Sequence, residues 1–153
     1  MCYSCDENAA SDLPPRESIF VSPHWRVCHS FNSSLPGWLV IVAQKHVLSL
    51  DEMPDEALME LGLLQGKLTR ALREVVGSLK AYSVFFAEGR GFEHVHIHIV
   101  PRMPDQPPDR KGRRVFEYLP PPAVEAVPVE EMDRISRDIA SRVRLNDPRT
   151  EKS

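Results

Sequence analysis

Three of the six histidines in the chain fall at alternate positions in the stretch 94-HVHIHIVPR-102. Imidazole can attack phosphorus, move a proton or bind a metal near neutral pH, depending on which ring nitrogen is free. The residues between the histidines, Val95, Ile97 and Ile99, are β-branched, and the two-residue period predicts a strand. Successive side chains on a strand point to opposite faces. His94, His96 and His98 therefore share one face, and the aliphatic residues face a core. At about 3.3 Å rise per residue the outer histidines are rooted about 13 Å apart, too far to share one zinc with bonds near 2.0 Å unless the strand bends strongly.

A second cluster with chemistry begins the chain. Cys2-Tyr3-Ser4-Cys5 is a C-x2-C pair. Such a pair is a zinc signal that needs two further ligands. Cys28 falls inside an apolar run and reads as a small buried residue.

Several elements must position these groups. SIFV (18–21) and HWRVCHSF (24–31) read as strands, SSLPG (33–37) as a turn and WLVIVA (38–43) as a third strand. Ser49 and Glu52 have capping-box spacing, so 49–53 is expected to form a short helical turn. Pro54 opens a long helix whose stripe of Leu58, Leu61, Leu64, Leu68, Leu72 and Val75 ends before Gly77. YSVFFAE (82–88) reads as a strand leading into the histidine strand. Eight of the fourteen prolines lie between Pro101 and Pro128, interleaved with Arg110, Lys111, Arg113 and Arg114, which predicts an extended basic surface segment. Val129, Met132, Ile135, Ile139 and Val143 then mark a last helix. The order predicts an α+β domain with a mostly antiparallel sheet of about five strands, one long helix and a C-terminal helix.

Composition narrows the function classes. A net charge of −3 over 153 residues gives no general nucleic-acid surface. No run approaches a membrane span, and the polar, acidic start lacks the pattern of a signal peptide. Three cysteines, an odd number, argue against a disulfide framework. These features together predict a cytoplasmic protein.

The stretch from His94 to Val100 alternates histidine and apolar residues in a way that resembles the histidine triad (HIT) superfamily of nucleotide hydrolases and transferases. PGWLVIVAQKHVLSLDEM (36–53) is similar to the family's segment leading into its long helix. The resemblance covers roughly residues 2–103. It sets a domain at 1–103 that begins with a zinc-binding segment. A proline-rich basic extension follows at 104–128, and a C-terminal helix at 129–145 is expected to pack on the same domain. The resemblance implies a nucleotide substrate cut at its α-phosphate, with His96 as nucleophile and His98 contacting the scissile bridging atom. It further implies a structural Zn2+ held by Cys2, Cys5, His46 and His94, and a homodimer formed around the long helix. Asn32 is the expected ribose contact. Arg90 is the candidate phosphate ligand, because the loop before the motif is only Arg90-Gly91-Phe92-Glu93 and lacks the family's hydroxyl and amide donors. Trp38 stands where many relatives have histidine, and Ala87 where many have asparagine. Two alternatives remain open here: a metal-dependent hydrolase using all three triad histidines as ligands, and a nucleotide-binding module with little turnover.

Overall fold

The computed structural model describes residues 1–145. Five strands form one sheet: β1 (Phe20–Val21), β2 (Trp25–His29), β3 (Leu39–Ala43), β4 (Lys80–Val84) and β5 (His96–Arg102). Their order across the sheet is β1-β2-β3-β5-β4, and every neighbouring pair is antiparallel. This is the expected α+β architecture. Three α-helices accompany the sheet: α1 (Tyr3–Asn8), α2 (Asp55–Val76) and α3 (Val129–Leu145). Among the described residues, no helix is long and apolar enough to cross a membrane.

The strand alternation divides the apolar residues between two layers. Trp25, Val27, Leu39, Ile41, Val95, Ile97 and Ile99 meet the helices on one face. α2 supplies Ala57, Leu61, Leu64, Leu68 and Leu72 to this layer, and α3 supplies Ile135, Ile139 and Val143. The buried stripe of α2 runs through Ala57, while Leu58 stands at the surface, one position off the sequence reading. α2 ends at Gly77, whose φ of +74° is a left-handed cap that glycine adopts without a Cβ clash. The Ser49–Glu52 capping box forms and closes a 3-10 turn, Leu50–Glu52.

The opposite face carries Cys28, Trp38, Val40, Val42 and Val100. The proline-rich segment covers part of it. The sequence predicts an extended segment there. The chain instead makes three 3-10 turns, at Pro108–Arg110, Gly112–Tyr118 and Ala123–Glu125. Val115 is buried against this face, with Phe116, Tyr118 and Leu119 packed around it. These four apolar residues, overlooked beside the prolines and arginines, bring the segment onto the sheet.

Two strand boundaries also differ from the sequence reading. β4 occupies Lys80–Val84 rather than 82–88, because Ala87 takes a φ of +52° and a left-handed residue cannot continue a ladder. β5 begins at His96, so His94 precedes the ladder, although Val95 still bonds to Ala43 and Val47.

Candidate active site and metal centre

The sheet register sets out the histidine face. Val42 lies opposite His96 and Val40 opposite His98 on β3; Arg26 and Cys28 follow in the same rows on β2. A cavity of about 200 Å³ lies over these rows. His96 and His98 line it, with Val40 and Val42 between them and the β2 side chains. The imidazoles stand edge to face with centroids 5.1 Å apart.

Hydrogen bonds distinguish the two rings. Nδ1–H of His96 donates to the carbonyl of His94 at 2.8 Å, since a carbonyl can only accept. The remaining nitrogen, Nε2, therefore keeps its lone pair in the neutral ring. The situation at His98 is reversed. Trp38 Nε1–H, a donor only, points at His98 Nδ1 from 3.0 Å, so that nitrogen must be the acceptor and the proton sits on Nε2. Burial, with a smaller contribution from His96, pushes His98 down to about 4, so it is uncharged at neutral pH. Phe116 packs edge-on against both the His98 ring and Trp38, each with centroids 5.4 Å apart. The pair thus combines a nitrogen lone pair with an adjacent N–H donor, which suits attack at a phosphorus whose bridging atom needs a hydrogen bond.

His94 does not join this pair. It is fully buried, and its Nε2–H donates to the carbonyl of Ala43 at 2.6 Å. That fixes the lone pair on Nδ1, which points at three other metal-type donors. Cys2 Sγ lies at 3.5 Å, Cys5 Sγ at 3.4 Å and His46 Nδ1 at 3.2 Å. Cys5 Sγ and His46 Nδ1 are 3.3 Å apart. Burial is the largest cause holding His94 below its usual range, which keeps it neutral. A tetrahedral zinc with bonds near 2.3 Å to sulfur and 2.0–2.1 Å to nitrogen requires edges of about 3.6 Å from S to N and about 3.3 Å from N to N. All four ligand atoms lie within 4.8 Å of one another, and the contacts match those edges. The donor set and its spacing fit a zinc ion.

Each element contributes for a local reason. The six-residue α1 brings Cys2 and Cys5 to one side. Its end is fixed by Asn8, which donates to Ala43 O at 2.9 Å and accepts from Arg26 Nε at 2.8 Å. His46 stands just past β3, on the chain leading to the Leu50–Glu52 turn.

Asn32 lines the cavity and accepts a hydrogen bond from Ser30 Oγ at 3.3 Å. Arg90 does not line it. It is exposed, on a separate depression beside Cys2 and His46, so the structure does not bring it to His96 and His98.

Other lining residues were not singled out in the sequence. Tyr3, Phe31 and Phe92 form an aromatic group, with Tyr3 5.1 Å from Phe31 and 5.4 Å from Phe92. Three distant segments supply them, and no spacing rule joins such residues. Arg26 and Glu17 form a buried ion pair at 2.8 Å on the far wall. Here a signal existed: an arginine between Trp25 and Val27 in an apolar strand demands a buried carboxylate partner. Burial raises the Glu17 carboxyl, and Arg26 pulls the other way.

The family model described as HIT domain matches residues 14–105. No curated protein matches the chain. Among solved structures, a zinc-bound histidine triad family protein from Mycobacterium smegmatis superposes with a TM-score of 0.66 at 18% identity, covering 95% of this chain and 97% of its own. A hypothetical histidine triad nucleotide-binding protein from Sulfolobus tokodaii gives 0.69 at 15% identity, with 94% and 93% covered. Plasmodium falciparum diadenosine triphosphate hydrolase gives 0.64 at 15%, with the same coverage of 94% and 93%. At these identities the likeness is one of fold.

Proposed function

The chain belongs to the HIT domain (histidine triad) family, and on that premise we propose that it is a hydrolase or transferase cleaving at the α-phosphate of a nucleoside phosphoanhydride or phosphoramidate. The observation that carries this reading is the opposed tautomers of His96 and His98, fixed by His94 O and Trp38 Nε1–H.

In this mechanism the Nε2 lone pair of His96 attacks the α-phosphorus. The bond to the leaving group breaks, and a nucleotidyl-histidine forms. The ring gains positive charge, and its Nδ1–H bond to the His94 carbonyl becomes charge-assisted and stronger. His98 Nε2–H donates to the bridging atom as negative charge develops there. Water then cleaves the P–N bond and restores His96. Asn32 holds the ribose at the cavity wall.

Cys2, Cys5, His46 and His94 would hold zinc. Bound there, the ion would tie α1 to the residues flanking β3 and β5. A metal hydrolase using all three triad histidines finds no support in the geometry. Among the described residues, the metal-type group includes His94 and neither His96 nor His98. A binding module with little turnover is favoured by one observation, the absence of Arg90 from the cavity. The Arg26 guanidinium that does line the cavity is committed to Glu17.

The reading also includes a cytoplasmic homodimer. Met59 and Leu63, one turn apart on the outer face of α2, are 65% and 66% exposed and offer an apolar surface to a second copy. Single-turnover assays with an adenosine phosphoramidate and a dinucleoside polyphosphate test the activity. A burst of one nucleotide per site supports hydrolysis. Binding without release of either leaving group supports the module.

A further inference from the structure

The cavity is not built from the sheet alone. Tyr3 and Ser4 of α1 line it. Both lie between Cys2 and Cys5 in sequence, so the segment that presents two sulfurs to the metal-type group also presents two side chains to the cavity. Tyr3 lies between Phe31, from the loop after β2, and Phe92, from the loop before β5. Those two rings are 50% and 38% exposed, which leaves apolar aromatic surface at the mouth for a flat ligand.

A six-residue helix has no stability of its own in water. Four kinds of contact tether α1 to the domain. Tyr3 N–H donates to Gly91 O at 3.3 Å. Asn8 bonds to Ala43 O and receives Arg26 Nε. Tyr3 packs against the two phenylalanines. Cys2 and Cys5 meet His46 and His94. Only the last of these closes on a metal, and it lies at the end of α1 that carries Tyr3.

We propose that metal binding and nucleotide binding strengthen one another through α1, because Tyr3, between the two cysteines of the metal-type group, also lines the nucleotide cavity beside Phe31 and Phe92. The proposal rests on the nucleotide-hydrolase and zinc readings above. Without the ion, α1 loses two of its anchors and the cavity loses a wall. Coupling between two sites is reciprocal: if the metal improves nucleotide affinity by some factor, the nucleotide improves metal affinity by the same factor. Couplings of this kind commonly run from about 5-fold to about 150-fold. Removing one aromatic partner from a stacked base costs about tenfold in affinity.

The test uses the full zinc-loaded chain, with adenosine and guanosine monophosphates as probes. Calorimetry gives their affinity. The transfer of zinc to a chromophoric chelator, followed with and without nucleotide, gives the coupling. Nucleotide is expected to slow zinc transfer at least fivefold in the wild type. Tyr3→Ala keeps all four ligands, so it should still bind one zinc. It should bind nucleotide about tenfold more weakly, and nucleotide should no longer slow zinc transfer. Tyr3→Phe keeps the ring and should behave as wild type. If wild-type protein binds nucleotide but zinc transfer is unchanged, or if Tyr3→Ala binds nucleotide as wild type does, this proposal fails while the nucleotide reading stands. If zinc-loaded wild type binds neither nucleotide, the functional reading itself fails and takes the proposal with it.

Discussion

Replacing His94 and His96 separately by alanine should produce opposite defects, although the two residues sit two apart in the sequence. His94 is fully buried, so His94→Ala leaves a ring-sized void, of the kind that costs about 2–4 kcal/mol in a packed core. Its hydrogen bond to Ala43 O adds about 1 kcal/mol at most, since Asn8 still satisfies that carbonyl. Loss of one of four ligands adds a further penalty. Structural zinc contributes on the order of 10 kcal/mol in small zinc domains and less where a domain has its own core. At roughly 2–4 °C per kcal/mol for a domain of this size, Tm should fall by roughly 10 °C or more, with zinc lost. His96→Ala removes a half-buried ring whose one bond runs to a carbonyl two residues back, about 1 kcal/mol. Zinc content should stay at one per chain, and Tm should move only a few degrees. Turnover should fall on the order of 10³-fold or more, because no other lone pair in the motif faces the cavity. Zinc analysis, differential scanning calorimetry and single-turnover kinetics on the two variants decide the matter. Loss of zinc from His96→Ala, with a Tm as low as that of His94→Ala, would refute the division of labour.

Three further outcomes are expected. Nitrogen-15 NMR should find His98 protonated on Nε2 in wild type; Trp38→Phe should release that preference and lower turnover several-fold with zinc retained, whereas a wild-type Nδ1–H signal would contradict the assignment. Acid should destabilise the fold through His98 and His29, both held below the usual histidine range by burial: beneath about pH 6.5 the unfolded chain takes up protons that the folded chain refuses, so stability falls toward pH 4 and is unaffected above pH 7. His98→Gln should flatten that slope in urea titrations between these limits, and an unchanged slope would argue against it. Sedimentation at micromolar concentration should give about twice the 17.4 kDa chain mass, Met59→Glu with Leu63→Glu should give the single mass, and a wild-type monomer would end the dimer reading.

Much of the fold could be read from local pattern. The alternation around Ile97 and Ile99, the leucine stripe of α2 and the Ser49–Glu52 box each express a period or spacing that the backbone geometry imposes directly. The approach of Cys2 and Cys5 to His46 and His94 was implied by family resemblance alone, because nothing in the spacing of residues 2, 5, 46 and 94 reveals it. What escaped depends on contacts between distant segments. Arg90 looked suitable for phosphate by charge and position, yet it lies beside the metal-type group and away from the cavity. The segment around Val115 and Phe116 read as polar from its prolines and arginines, and its few apolar side chains nonetheless fold it onto the sheet. Trp38 is fully buried. Its indole N–H, aimed at His98, became visible only when β3 and β5 were paired.

The most direct test of the mechanism is capture of the covalent intermediate. Zinc-loaded protein mixed with a nucleoside phosphoramidate or dinucleoside polyphosphate, quenched within one turnover under conditions that preserve phosphoramidate bonds, should carry one nucleotidyl group. Peptide mass spectrometry should locate it on His96, and the adduct should be absent from His96→Ala. An adduct on His98 or on no histidine, with leaving group released at full rate, would contradict His96 as the nucleophile.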